Sequence, residues 1–263
     1  LYGHIGLESD LEIQRLMLQI LTMLGIDNIH LDLGHVAVFR GLVKAAKIPI
    51  NLEIELFNAL QAKDIPSLQT LCSGFDKGIK NKVGRALMLL PKLYGDKKIL
   101  AQARNILPNY PEIKKALDEL EKIAKELKST NCSLAFDLSD LRGYHYHNGI
   151  VFSAYTKDYP NAIALGGRYD EIGKAFGRAR PATGFSMDLR ELSKLNQLSN
   201  PYPKGILAPY RKNDKLLEKK IAQLRKKGRI VVIKLPGHEK NKDTYNCDKK
   251  LVLKNKVWEI TTI

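Results

Sequence analysis

A long helical block set inside strand-patterned sequence constrains this chain more than any other feature. From about residue 36 to 128 the runs "VAVFRGLVKAAK", "LEIELFNALQA", "SLQTLCSG", "VGRALMLLPKLYG", "KKILAQARNIL" and "PEIKKALDELEKIAKELK" are rich in Leu, Ala, Lys and Glu, with Pro or Gly between them. Such runs predict helices. The last is long enough to stand partly exposed, supported by Glu and Lys neighbours three or four residues apart.

Strand patterns flank the block. Ahead of it, "NIHLDLGHV" (28–36) alternates, with Ile29, Leu31 and Leu33 on one side. A helix precedes that strand: "SDLE" (9–12) has the capping-box form, Leu11, Leu16, Met17, Ile20, Leu21 and Leu24 keep mostly to one face, and Gly25 stops it. Beyond the block, "SLAFDLS", "GIVFSAYT" and "AIALGG" are short β-branched and aromatic runs, while "DEIGKAFG" and "FSMDLRELSKL" predict two short helices. A helical block inserted between pieces of one antiparallel sheet implies an α+β domain with helices on the sheet. From about 199, "NPYPKG" reads as a linker; "ILAPY", a helix over 213–227, "RIVVIKL", "KKLVLK" and "VWEIT" then predict a small α/β unit.

A chain of 263 residues, 44% hydrophobic, can bury a substantial core in one large domain with an appendage, or in two domains. It contains no run of 18 apolar residues, and its start has neither a basic nor an apolar leader segment, so a soluble protein without a membrane partner is expected. Cys72, Cys132 and Cys247 lie too far apart for a zinc pattern or a disulfide framework, which fits a reducing cytoplasm. The net charge of +15 is uneven: −3 over residues 1–75, +6 over 76–130, +1 over 131–195 and +11 over 196–263. The lysines of the last stretch are spread out and lack interleaved aromatics, so a solvated face or a patch for an acidic protein is preferred to nucleic acid.

The stretch "RGYHYHNGIVFSAY" (142–155) invites a chemical reading. As a strand it would point Tyr144 and Tyr146 one way and His145 and His147 the other. Two same-face imidazoles could begin a metal site, yet no third or fourth ligand is offered nearby. A histidine base would need a nucleophile; Asp137 and Asp140 are near in sequence, but no serine or cysteine elbow accompanies them. Polar residues lining or flanking a cleft is the reading preferred to catalysis. In "ALGGRYDEIGKAFG" (164–177), Gly166 and Gly167 join a strand to a helix with Arg168, Tyr169 and Asp170 at its start, and bare backbone there would let a ligand approach closely. "RARPATGFSMDLREL" (178–192) places Gly184 in a strand that turns into a helix.

In their order and spacing, "LRGYHYHNGIVF", "LGGRYDEIGKAFG" and "PATGFSMDLREL" resemble the two histidine-pocket motifs and motif 3 of histidyl-tRNA synthetase, a class II synthetase. The chain is still more similar to that enzyme's catalytically silent paralogue family, the regulatory subunits of ATP phosphoribosyltransferase. "LDLGHVAVFRGL" is typical of that family, and "ILAPY", "LPGH" and "CDKKLVLKNKVWEI" resemble its ending and not an anticodon-binding domain. The resemblance implies a class II aminoacyl-tRNA synthetase-like core. Residues 1–40 would be its first part, 41–130 a helical insertion, 131–198 its second part with the pocket motifs, and 199–263 the small C-terminal α/β unit. The sequence starts beyond the region where both families carry motif 1 and most of motif 2, so it reads as a fragment or as having its true start upstream.

Departures from the synthetase pattern discriminate between the two families. Motif 3 of the synthetase ends Gly-Leu-Glu-Arg, whose arginine meets ATP; here stand Asp188, Leu189, Arg190 and Glu191. A glutamate where a triphosphate needs a cation would repel it, so adenylate chemistry is not expected and Asp188 and Glu191 are read as lost ATP-site positions. The first pocket motif of the synthetase is Arg-Gly-Leu-Asp-Tyr-Tyr. This chain keeps Arg142, Gly143 and Tyr146 but has His145 and His147 in place of the acid and the second tyrosine. The resemblance makes Arg142, Tyr146, His147, Gly166, Gly167, Tyr169 and Gly184 a candidate histidine pocket. Arg142 would meet a carboxylate or stack on an imidazole, and Tyr169 would offer its hydroxyl. It implies no catalysis, no cofactor and no metal. It implies a homodimer within a hetero-oligomer with the catalytic subunit of the short-form phosphoribosyltransferase, and free histidine as effector.

Overall fold

A computed structural model describes residues 1–75, 78–128, 132–157, 159–195, 203–237 and 245–263. Residues 200–202 of the expected linker, and His238 of "LPGH", lie outside them. The chain divides into two compact units, Leu1–Leu198 and Ser199–Ile263.

Helix α1 (Leu7–Met23) opens the first unit and ends at Leu24, before Gly25 at φ +70°. It starts two residues ahead of the capping box expected from "SDLE". Gly6 is the N-cap, and Ser9, inside the first turn, turns its hydroxyl back to the Gly6 carbonyl at 2.8 Å. The buried stripe runs through Leu11, Gln14, Met17, Leu18 and Leu21, whereas Leu16 is 45% exposed. The face is shifted because Ser9 and Asp10 turn inward to meet a buried arginine, described below.

Strand β1 (Ile29–His35) buries Ile29, Leu31 and Leu33 against the helices, as its alternation predicts. The helical block follows as α2 (Ala37–Ala45), α3 (Ile50–Gln61), α4 (Ile65–Cys72), α5 (Gly78–Leu89), the two-residue strand β2 (Tyr94–Gly95), α6 (Lys98–Ile106) and α7 (Pro111–Glu126). In α7, Ile113, Ala116, Leu117, Leu120 and Ile123 form one buried stripe, the 3.6-residue pattern of a half-exposed helix. A Cβ on Gly41 of α2 would come 3.1 Å from Ile113, so a bare α carbon sets how near α7 can lie. Of the Glu/Lys support expected within α7, Lys115–Glu119 forms at 3.7 Å, while Glu112, Asp118, Glu121 and Glu126 reach cations on other helices.

The sheet is completed by β3 (Cys132–Asp137), β4 (Ile150–Thr156), β5 (Tyr159–Arg168) and β6 (Thr183–Met187), in the order β2-β3-β1-β4-β5-β6. It is antiparallel except for β1 and β3, which pair in parallel. The helical block is the crossover that permits this departure from a purely antiparallel sheet, because parallel neighbours need a long connection. "DEIGKAFG", expected as a short helix, forms one of the 3-10 type (Ile172–Phe176). It buries no residue, and Gly177 at φ +93° ends it. Helix α8 (Leu189–Leu195) follows β6.

In the second unit, β7 (Gly205–Pro209), α9 (Lys215–Lys226), β8 (Val231–Lys234), β9 (Cys247–Lys254) and β10 (Val257–Thr262) form a sheet in the order β10-β9-β7-β8. Asp214 caps α9 by accepting from the Leu217 amide at 2.9 Å. Leu217, Ile221 and Leu224 of that helix bury against Ile206, Val231, Leu251 and Trp258. Among the described residues no helix is long and apolar enough to cross a membrane.

Candidate functional site

Residues 142–148, expected as strand, form a tight turn. The amides of Tyr146 and His147 both donate to the Gly143 carbonyl, at 2.7 and 2.6 Å, and Gly143 adopts φ +66°, a conformation glycine takes at little cost. The turn abolishes the expected alternation. Tyr144 goes inward at 5% exposure, while Tyr146 and His147, one residue apart, face a common cavity. His145 lies outside it, its ring 5.4 Å from that of Phe57.

The cavity holds about 390 Å³, within the range of about 300–1,000 Å³ usual for small-molecule sites. Arg142, Tyr146, His147, Gly166, Tyr169 and Gly184 line it, all expected from the sequence. Gly167 lies behind it, because a Cβ there would meet the His147 ring at 2.7 Å and the Ile150 carbonyl at 2.6 Å. The room at Gly166 is likewise taken by protein, the Phe152 ring and the Gly184 carbonyl standing 2.3 and 2.5 Å from a Cβ. These glycines are bare so that rings and strands of the chain itself can pack. At Gly184 a Cβ would meet only the Tyr169 hydroxyl, at 2.9 Å.

Asp140, Ser153 and Ser186 also line the cavity and were missed by sequence reasoning. Asp140, weighed only as an orienting acid for a histidine, holds Arg142 instead. It accepts from the Arg142 Nε at 2.9 Å and from Nη2 at 2.6 Å, while Nη1 donates to the Tyr155 hydroxyl at 2.8 Å. Its place two residues before the arginine was the available signal. Asp137 points elsewhere, accepting from the Ser139 hydroxyl and from Lys63. Burial opposes the charge on Arg142, but Asp140 more than compensates and its pKa is raised. The ion pair leaves the cavity close to neutral in charge.

Burial lowers the pKa of His147, against the opposing effects of the Arg142 carbonyl and Asp140. The neutral ring donates from Nδ1 to the Arg142 carbonyl at 3.3 Å, which leaves Nε2 an acceptor. Burial, then the hydroxyl of Tyr2 and the nearby Tyr146, push the Tyr169 phenol up to about 12, so it remains a donor at neutral pH. The rings of Tyr146 and Tyr169 lie 4.9 Å apart. The wall thus offers aromatic faces, hydroxyl donors, an imidazole acceptor and a neutralised guanidinium.

Arg168, expected at a helix start, ends β5 and is structural. Its guanidinium meets Asp10 at 2.6 and 3.0 Å, the Ser9 hydroxyl and the Gly6 carbonyl, tying α1 to the sheet. Asp188 caps α8 through the amides of Arg190 and Glu191, and Glu191 accepts from Lys194 at 2.8 Å. Neither acid lines the cavity. Among the described residues no three His, Cys, Asp or Glu side chains are grouped to hold a metal ion.

The histidyl-tRNA synthetase family profile matches residues 1–192. Residues 203–261 match the profile described as ATP phosphoribosyltransferase subunit HisZ C-terminal domain, which separates the two related families. The ATP phosphoribosyltransferase regulatory subunit of Nitrosospira multiformis is 64% identical over 260 residues, covering 99% of this chain and 66% of that protein. That of Nitrosomonas eutropha is 56% identical over 263 residues, covering 100% and 67%. This chain belongs to the ATP phosphoribosyltransferase regulatory subunit family. It spans about two thirds of the length of these curated relatives.

Solved structures agree on the class II synthetase-like fold of the family. A regulatory subunit/histidyl-tRNA synthetase from Bacillus halodurans superposes with a TM-score of 0.73 at 24% identity, over 92% of this chain and 63% of that one. A chain of the ATP phosphoribosyl transferase (HisG:HisZ) complex from Thermotoga maritima gives 0.56 at 18% identity, over 71% and 62%. At these identities the likeness concerns the fold alone.

Proposed function

We propose that this chain acts in the cytoplasm as a non-catalytic regulatory subunit of ATP phosphoribosyltransferase, the enzyme of the first step of histidine biosynthesis. It works as a homodimer within a hetero-oligomer with the short-form catalytic subunit. Its cavity takes free histidine, which inhibits the assembled enzyme. The observation that carries this reading is the pairing of Arg142 with Asp140. Among the described residues lining the cavity, Arg142 is the one Lys or Arg side chain, and its charge is already balanced. Glu191 stands where the synthetase pattern has its nucleotide-binding arginine, so that cation is missing from this position. A triphosphate gains little from such surroundings. A zwitterion with an imidazole fits better, since its ring finds Tyr146, Tyr169 and the His147 Nε2, and its carboxylate the donors that Asp140 leaves free on Arg142. The Thermotoga maritima complex supports the proposed partnership by family membership.

Inhibition requires that histidine bind one state of the assembly better than another. The test is co-purification of the full-length protein with the catalytic subunit, followed by assay with and without histidine. Activity that depends on the regulatory chain and falls with histidine is expected. A fully active, unassisted catalytic subunit would refute the role, and histidine-dependent ATP–pyrophosphate exchange by this protein alone would return it to the synthetases.

A further inference from the structure

The turn that carries Tyr146 and His147 into the cavity is held from outside by the helical block. One nitrogen of Arg40, on α2, donates to the carbonyls of both Tyr144 and His147, at 2.8 and 3.0 Å. The guanidinium carbon of Arg40 also lies 4.9 Å from the centre of the Tyr144 ring, close enough for a cation–π contact. Glu53, on α3, accepts the Tyr144 hydroxyl at 2.7 Å. Phe57, also on α3, stacks on the same ring at 5.4 Å, and Phe39 of α2 meets it edge-on at 5.2 Å. Burial, and then Glu53, push the Tyr144 phenol upward, so its proton stays on the hydroxyl that Glu53 receives.

We propose that Arg40, Glu53 and Tyr144 are positioning residues for the cavity, a clamp through which α2 and α3 hold the Tyr146–His147 wall and sense whether the cavity is filled. A turn needs its two ends fixed to aim the side chains it carries, and Arg40 fixes both carbonyls at once. The His147 ring then has one place to go, between Gly143 and Gly167, where a Cβ on either glycine would stand within 3 Å of it. Tyr144 is the hinge pin, with its ring seated on α2 and α3 and its backbone two residues from the first cavity side chain. Any ligand that shifts Tyr146 or His147 must therefore strain contacts to both helices, and by linkage those helices feed back on ligand affinity. This deepens, and for its ligand rests on, the reading of the cavity as a histidine site.

Hydrogen exchange of the full-length protein separates the clamp from its ligand. Arg40→Met and Tyr144→Phe should speed exchange of the Tyr146 and His147 amides about tenfold, the equivalent of one lost hydrogen bond, and leave β4 unchanged. Added histidine should slow exchange in α3 of the wild type, and Tyr144→Phe should abolish that transmission while α3 itself stays folded. Unaltered exchange at 146 and 147 in both variants would overturn the clamp. So would an α3 response to histidine that persists in Tyr144→Phe. If the wild type fails to bind histidine yet the variants still loosen the turn, the clamp stands and the effector reading falls.

Discussion

Asp140 grips Arg142 from the side, its two oxygens taking the Nε and Nη2 protons at 2.9 and 2.6 Å from only two residues away. The pair turns what the motif presents as a free cation into a dipole, and leaves a minority of the guanidinium protons for a ligand. Arg142→Ala should weaken histidine binding and histidine inhibition by about tenfold or more, as expected for one charge-assisted hydrogen bond. Asp140→Asn should do the reverse for anions, giving salt-sensitive binding of pyrophosphate that the wild type lacks. Calorimetric titration with histidine and with pyrophosphate reads both, and wild-type-like behaviour of Asp140→Asn toward pyrophosphate would contradict the neutralised cavity.

The glycines of the pocket motifs should part company on substitution. Gly167→Ala puts a Cβ 2.6 Å from the backbone carbonyl of Ile150 and against His147, so it should cost about 1–3 kcal/mol of stability and reorient the imidazole. Gly184→Ala meets only the end of Tyr169. That ring can swing, so binding should suffer while the melting temperature barely moves. Thermal melts beside binding isotherms decide the point, and equal stability losses in the two variants would contradict the packing described.

Burial makes a second ion pair pH-dependent in a defined direction. Asp10 is 1% exposed, and its pKa is raised from the ordinary 3.8 by burial even with Arg168 opposing. A carboxyl raised in the folded state favours its proton there, so folding loses stability as pH climbs from about 4 through the folded value. Arg168→Met removes the opposing cation and should cost about 3–5 kcal/mol at pH 8, where Asp10 must ionise or stay protonated at a penalty. At pH 4 the deficit should be clearly smaller. Urea unfolding of wild type and variant at the two pH values measures the difference; a deficit independent of pH would argue that packing, not charge, is what Arg168 supplies.

His147 should titrate below the ordinary 6.5, because its buried ring disfavours the imidazolium. The stability this lends is present above 6.5 and is lost as pH falls through the folded value. Nitrogen-detected NMR of labelled histidines should find the proton on Nδ1 at pH 7. Ligand affinity should drop on acidification as Nε2 ceases to accept. An Nε2–H tautomer at pH 7 would remove the acceptor from the site.

The parts of the molecule legible in sequence are those with a local period. Ile29, Leu31 and Leu33 alternate because a strand buries every second residue, and the α7 stripe from Ile113 to Ile123 repeats as a helix must. The candidate cavity was legible by motif, since Arg142, Tyr146, His147, Gly166, Tyr169 and Gly184 do converge. The capping box was misplaced because Ser9 and Asp10 serve Arg168, 158 residues away from Asp10 along the chain. No helix-end pattern records such a partner.

The amino-acid sequence by itself determined the helical block, the alternating strand at 29–33, where the basic excess lies, and that acids stand at 188 and 191, because propensity, periodicity and charge belong to the residues alone. Only the tertiary structure decided that β1 and β3 run parallel, that Tyr144 turns into the core while Tyr146 turns to the cavity, and that Arg142 arrives already paired. A side chain's direction in a turn is set by partners far along the chain, as Arg40 and Glu53 lie 104 and 91 residues from Tyr144, and burial against them outweighs any local alternation.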